Sequence, residues 1–289
     1  MSSTKVWVIT GCSSGFGRHI ALAALARGDT VVATARDPAK LADLGAKGAI
    51  LQHLDVTDGD DNLAAVVESI LGKTGGRIDI LVNAAGYILT GAVEECNREE
   101  VQATFGTNVF GQLNVARAIL PVMRQQKSGI VANFGSIGGW YGTAGAGLYC
   151  ATKACVAMLS EAMRLEVAHL GIKVTCIEPG YFRTNFLAPG HRIRAMQVIG
   201  ELEAGTGRTM NALDAYDRKQ PGDPAKGAAL IVEVLTDSGR AKGRALPARL
   251  SVGRDAYAIV TGKMDSNRTQ LELWKDLTTL TDCEDGEER

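Results

Sequence analysis

The first apolar run of the chain, Lys5–Ile9, is followed at once by Thr10-Gly11-Cys12-Ser13-Ser14-Gly15-Phe16-Gly17 and then by a helix-sized segment, Phe16–Arg27. Glycines at a strand-to-helix junction let the backbone turn sharply and lie close to a bound group. The helix that starts there offers free N–H groups and the positive end of its dipole, which suits a pyrophosphate. A glycine-rich loop alone is weak evidence. Its position between the first strand and the first helix makes it specific. The bland alternative, a tight turn kept for packing, is weighed against the landmarks further along the chain.

Short apolar runs rich in Val and Ile recur at Thr30–Ala35, Ala49–Leu54, Ile78–Asn83, Gly129–Phe134 and Lys173–Glu178. Runs apolar at nearly every position suit strands buried on both faces of a parallel sheet. Between them lie helix-sized segments at Pro38–Ala46, Asp60–Lys73, Arg98–Gln126 and Tyr149–Leu170. The alternation predicts an α/β fold: a Rossmann-type, doubly wound parallel sheet with helices on both faces. No linker divides the chain, so residues 1–289 are expected to form one domain. After Glu178 the rhythm changes. Tyr181–Asp217 has scattered apolar positions and four glycines, which predicts a mobile lid over a substrate, with an ordered helical excursion packed permanently on the body as the alternative. A helix is expected near Pro224–Leu235, an irregular strand within Ala245–Val252, and a helix over Asp255–Leu280 with Trp274 and Leu271 in its packed seam. Residues 281–289 read as a frayed, solvated tail.

Composition narrows the function. The 31 Lys and Arg residues nearly balance the 32 Asp and Glu residues, so no long-range field favours nucleic acid or an anionic membrane. No apolar run reaches the length of a membrane span, and no signal-peptide pattern is seen, so a cytoplasmic protein is expected. The six cysteines show no CxxC pair and read as reduced thiols. His19, His53, His169 and His191 share no ligand spacing, so no metal site is expected.

The turn is spaced TGxxxGxG and so resembles that of the short-chain dehydrogenase/reductase family. The likeness covers the first two-thirds or so of the chain closely, by the order of its sheet elements. The resemblance implies a nicotinamide dinucleotide held by Gly11, Ser13, Ser14, Gly15, Phe16 and Gly17. The second strand ends Thr34-Ala35-Arg36-Asp37. Ala35 stands where relatives that use NAD carry an acidic ribose ligand, and the Arg36 guanidinium can pair with a ribose phosphate. This favours NADP(H), with NAD(H) as the alternative. Asp37 would be the ribose ligand if the register shifted, and Ser14 lacks the basic side chain of some NADP-preferring relatives. Asp55 and Val56 match the family's adenine-binding position. Asn83, Ala84 and Gly86, within Asn83-Ala84-Ala85-Gly86, match its NNAG element with one replacement. Pro179, Gly180, Phe182 and Thr184 match the PGxxxT element that fixes the nicotinamide.

Tyr149 and Lys153 stand four apart, so on a helix they share a face. A nearby ammonium lowers a phenol's pKa, which allows it to give a proton to a carbonyl oxygen or take one from an alcohol. The pair alone would occur by chance. Its context is Ser136, thirteen positions earlier and straight after the fifth strand, and Asn108 in Thr107-Asn108-Val109. By the resemblance, Ser136 steadies the substrate oxygen, and Asn108 holds a water beside Lys153. Cys150 is expected to point to another face of the helix.

Tyr141, Tyr181, Phe186 and Leu187 flank the predicted site and suit a hydrophobic small molecule, a medium or large carbonyl or alcohol, as substrate. Leu246–Leu250 and Gly253–Ala256 resemble the branch related to hydroxysteroid and retinol dehydrogenases. The leading expectation is an NADP(H)-dependent carbonyl reductase, working as a homodimer or homotetramer through the two long helices. A dinucleotide-sensing regulator and a non-redox isomerase or dehydratase on the same scaffold stay open.

Overall fold

The fold is seen in a computed structural model, which describes residues 4–283. Its strands are β1 (Val6–Ile9), β2 (Thr30–Ala35), β3 (Ile50–His53), β4 (Ile80–Asn83), β5 (Ile88–Thr90), β6 (Gly129–Phe134), β7 (Ile172–Pro179), β8 (Arg192–Arg194) and β9 (Arg249–Val252). Its helices are α1 (Gly15–Ala26), α2 (Ala42–Gly45), α3 (Asp60–Thr74), α4 (Arg98–Phe105), α5 (Gly111–Gln126), α6 (Gly147–Val167), α7 (Glu203–Tyr216), α8 (Pro224–Leu235) and α9 (Arg254–Thr278).

A seven-stranded sheet runs in the order β3-β2-β1-β4-β6-β7-β9, with parallel neighbours throughout. Side chains alternate across it. Trp7 and Ile9 pack with Ile20 of α1 and Ile231 of α8 on one face. Val8 packs with Leu63 of α3, Ile119 of α5 and Met163 of α6 on the other. The expected doubly wound fold is therefore present. The chain winds outward from β1 to β3, returns to β4, and winds the other way. The carboxyl ends of β1 and β4 thus flank the switch point, where such sheets open a cleft.

Several expectations are corrected. The segment Arg98–Gln126 is not one unbroken helix: a π-helical turn at Gly106–Phe110 separates α4 from α5. That turn faces Asn108 inward, where its side chain bonds the backbone of Tyr87. Pro38–Ala46 divides into a 3₁₀ turn, Pro38–Leu41, and the short α2. The segment 181–217 holds β8 and α7, which its sparse apolar pattern hid. β8 pairs with β5 in a separate two-stranded sheet. Buried Glu95 accepts from the backbone N–H of Ile199, and Arg192 pairs with Asp214. Trp274 and Leu271 are 58% and 72% exposed, against the expected packed seam, because α9 buries only Ala256 and Val260 near its start. Of the expected tail, residues 284–289 lie outside the described residues.

A buried polar chain ties the site-bearing elements together. Asn83 Nδ2 donates to Gln112 O at 3.1 Å and to Asn133 Oδ1 at 2.9 Å. Asn133 Nδ2 donates to Ser160 Oγ at 3.0 Å, and Ser160 donates to Val156 O. This joins β4, α5, β6 and α6. Asn133→Ala leaves one N–H of the Asn83 amide without its partner in the core, and should lower unfolding free energy by about 1–3 kcal/mol. A denaturant titration checks this, with the expected drop in midpoint at an unchanged slope.

Candidate active site

A cleft of about 390 Å³ opens at the carboxyl ends of the central strands. Its floor at one end is the glycine-rich turn. Gly11 has φ +71°, and a Cβ there would meet the backbone of Ala85 at 2.9 Å, so the turn lies directly on the end of β4. Thr10 secures it, since its hydroxyl accepts from the N–H groups of Ala84 and Ala85 at 3.0 and 3.1 Å. Gly15 has φ +56°, and a Cβ there would meet only Thr184 at 3.9 Å, so this position is open to the cleft. Ser14 holds the N-cap position of α1 without capping it by its side chain. The first-turn N–H groups thus remain available to an outside acceptor. An open glycine cradle over an uncapped helix start fits a dinucleotide's phosphates.

Most of the expected site residues line this cleft: Gly11, Ser13, Ser14, Gly15, Phe16, Arg36, Asp55, Val56, Ala84, Gly86, Ser136, Tyr149, Lys153, Pro179, Gly180, Phe182 and Thr184. Tyr141, Tyr181, Phe186 and Leu187 line its other end. Gly17, Asn83 and Asn108 lie behind the wall. A Cβ on Gly17 would meet Gly11 O at 2.6 Å, so Gly17 serves the packing of α1 on the turn. Asn83 belongs to the buried chain described above. Asn108 Oδ1 accepts from Tyr87 N at 3.1 Å and Nδ2 donates to Tyr87 O at 2.9 Å. It braces the loop after Gly86, and a Cβ on Gly86 would reach Asn108 Oδ1 at 3.0 Å and Lys153 Nζ at 3.8 Å. The asparagine, the loop and the lysine are therefore in mutual contact range.

At the end of β2, Ala35 and Arg36 line the cleft, while Asp37 accepts from the N–H of Ala39 at 3.1 Å and caps the 3₁₀ turn. Asp55 accepts from the N–H and hydroxyl of Thr57 at 2.9 and 2.8 Å. Phe182 is buried against Phe16, ring centroids 4.8 Å apart, so the element after β7 packs on the glycine-rich turn.

Ser136 Oγ accepts from Gly138 N at 3.0 Å. Tyr149 is buried, with its ring 5.8 Å from that of Phe186. Burial pushes the phenol above its ordinary pKa, while a hydrogen bond with Ser136 pulls the other way. Lys153 Nζ donates to Phe134 O at 2.8 Å and stands 5.7 Å from the centre of the Tyr149 ring. Burial pushes this ammonium down to about 8. The two shifts share a cause, since each penalises the charged form of its group. Cys150, expected to face away, also lines the cleft and packs beside Tyr149. His191, Thr209 and Leu213, which carried no motif, line the cleft as well. His191 follows from the start of β8, and Thr209 and Leu213 from α7, both invisible to periodicity.

Among the described residues no cluster of three His, Cys, Asp or Glu residues could hold a metal, and no helix is long and apolar enough to cross a membrane. A family model described as short chain dehydrogenase matches residues 5–192. The chain is 36% identical over 283 residues to oxidoreductase BOA17 of Botryotinia fuckeliana, covering 95% of this chain and 98% of that one. It is 38% identical over 182 residues to a 3-ketodihydrosphingosine reductase of Bacteroides thetaiotaomicron, covering 63% and 65%. A solved short-chain dehydrogenase of Streptomyces avermitilis is 42% identical, with a TM-score of 0.87 over 98% of this chain and 100% of that one.

With its pKa near 8, Lys153 carries its ammonium below that pH and loses it above. Folding removes this proton between about 8 and the ordinary 10.5, so the cost of burying the charge is present below 8 and relieved as pH rises through that window. Turnover that depends on the ammonium should decline as pH rises past about 8. Lys153→Met should be slower and should lack that limb of the pH–rate profile. An unchanged limb in the variant would assign it to another group.

Proposed function

The chain belongs to the short-chain dehydrogenase family, and from that premise we propose that it is an NADP(H)-dependent oxidoreductase that interconverts a ketone or aldehyde with the corresponding alcohol on a hydrophobic small molecule. The observation that carries the reading is the convergence of Ser136, Tyr149 and Lys153 at one end of a cleft whose other end is a glycine cradle. A nicotinamide dinucleotide, when bound, supplies or accepts the hydride. The rest is done by the chain's own groups. Gly11, Gly15 and the start of α1 hold phosphates by backbone N–H groups. Ser136 hydrogen-bonds the substrate oxygen and limits its movement. Tyr149, kept protonated by burial, holds the proton that this oxygen receives during reduction. Lys153, one helical turn on, sits where its positive charge stabilises the negative charge that builds up at the phenol oxygen as the proton leaves.

The preference for NADP(H) rests on the second strand's end. Ala35 presents no carboxylate, Arg36 borders the cleft, and the Asp37 carboxylate faces the Ala39 N–H instead. The hydrophobic substrate is supported by Phe186, Leu187 and Leu213, together with the Tyr141 and Tyr181 rings. One relative's name is that of a keto-group reductase. The sensor reading is disfavoured because dinucleotide binding alone needs no buried Tyr149–Lys153 pair.

Tyr149→Phe should abolish oxidation of NADPH by a panel of hydrophobic ketones and aldehydes, while NADPH binding by fluorescence stays within about twofold of native. Substantial residual turnover would remove Tyr149 from its role. Arg36→Ala should weaken NADPH binding about ten- to hundredfold, the range of one charge-assisted contact, and leave NADH nearly unchanged. Equal loss for both would make Arg36 structural.

A further inference from the structure

His191 sits at the entry to β8, far along the chain from the glycine-rich turn, yet its Nε2 lies 3.2 Å from Ser14 Oγ in a hydrogen bond. Its backbone is anchored on two sides. Its carbonyl accepts from Ile88 N at 3.0 Å, and its N–H donates to Ala188 O at 3.1 Å. Gly190, at φ +88°, makes the turn that delivers it. The ring therefore reaches across the cleft from a fixed mount. Both partners line the cleft, as does Arg36. Ser14 stands at the turn position that carries no cation in this chain.

We propose that His191 is a specificity-determining residue that, with Arg36 and Lys40, completes the site for the ribose phosphate of NADP(H), supplying from the opposite wall the cation that Ser14 does not provide. This rests on the NADP(H) reading above and extends it to a residue outside the family motifs.

The groups bearing on the ring are Ser14 from the turn, Arg36 from the end of β2, and Lys40 from the 3₁₀ turn after it. Burial and the two cations hold the imidazole below its ordinary pKa, so at neutral pH it is mostly neutral. A phosphate placed among them offsets the field of the two cations, hydrogen-bonds the charged ring and so raises that pKa. The ring then takes up a proton as the phosphate binds. His191's contribution is full at low pH and fades as pH rises through the pKa of the bound state. NADH, without the phosphate, provides no such drive.

Binding of NADPH and of NADH is measured calorimetrically from pH 6 to 8.5, in buffers of different ionisation enthalpy, so that proton uptake is read directly. The native protein should take up more protons with NADPH than the His191→Gln variant does. His191→Gln should weaken NADPH roughly tenfold near pH 6, a charge-assisted contact's share, and leave NADH within about twofold. His191→Lys should restore NADPH affinity and abolish the proton uptake that the imidazole contributes. Circular dichroism melts confirm that both variants fold. Equal weakening of both cofactors by His191→Gln would place the ring on the shared pyrophosphate or in a structural role, and would overturn the proposal. So would unchanged NADPH affinity and proton uptake. If Arg36→Ala removes the NADPH preference while His191→Gln does not alter it, the NADP(H) reading stands and the His191 proposal falls. If the native protein shows no preference for NADPH, both fall.

Discussion

The carboxyl ends of β1, β4 and β6 must stop together while leaving no backbone polar group stranded beneath the cleft they frame. Side chains from neighbouring elements meet that demand. The Thr10 hydroxyl takes two N–H groups of the loop after β4, Asn108 takes both polar groups of Tyr87, and Lys153 donates to the carbonyl of Phe134. Each bond is modest in net worth, but a buried group left unpaired costs more than the bond contributes. The arrangement is therefore mutually enforcing. Moving α6, which carries Tyr149 and Lys153, would strand groups on β6, and moving β6 would strand groups on β4 and α5.

The same burial sets the electrostatics. Low polarity around Tyr149 raises its pKa and lowers that of Lys153, so the proton resides on the phenol and the lysine lies near the point of losing its charge. On the far side, Glu178 is fully buried and is compensated by Arg249 at 2.8 Å and by the Trp140 indole N–H at 2.8 Å. Arg249 also lies over the Trp140 ring at 3.9 Å. That cluster pins β9 against β7, and so fixes where Pro179–Thr184 leaves the sheet. Asp255, at the start of α9, accepts from the N–H of Tyr181 at 2.6 Å and holds the next residues of that element. Glu178, Arg249, Trp140 and Asp255, none of which lines the cleft, thus help set its wall.

The strands were legible because burial on both faces demands continuous apolar runs, and the glycine-rich turn because its backbone geometry tolerates few other residues. Tyr149, Lys153 and Ser136 were legible through spacing and order. Asn108 and Asn83 were found as motif residues, but their buried bracing roles depend on partners 21 to 50 residues away that no local pattern announces. The π turn before α5 escaped notice because its residues, Gly106 to Phe110, hold one glycine and no proline to mark a break between two helical runs. β8 and α7 escaped because their apolar positions are few and none is buried: Ile193 of β8 is 39% exposed, and α7 has no buried residue. Trp274 misled for the opposite reason: a helical apolar stripe implies a packed face only when something packs on it. His191 had no motif at all, since only the pairing of β8 with β5 brings it opposite Ser14.

The proposed reaction requires a hydride to pass directly between nicotinamide C4 and the substrate carbon at the end of the cleft that holds Tyr149. The most direct test is isotopic: the protein is given NADPH carrying deuterium at nicotinamide C4, separately in each configuration, with a hydrophobic ketone, and the alcohol product is analysed by mass spectrometry. Deuterium from one of the two forms should appear on the former carbonyl carbon, one atom per turnover. Product formed with deuterium retained on the nicotinamide from both forms would show that no hydride is transferred, and would contradict the account.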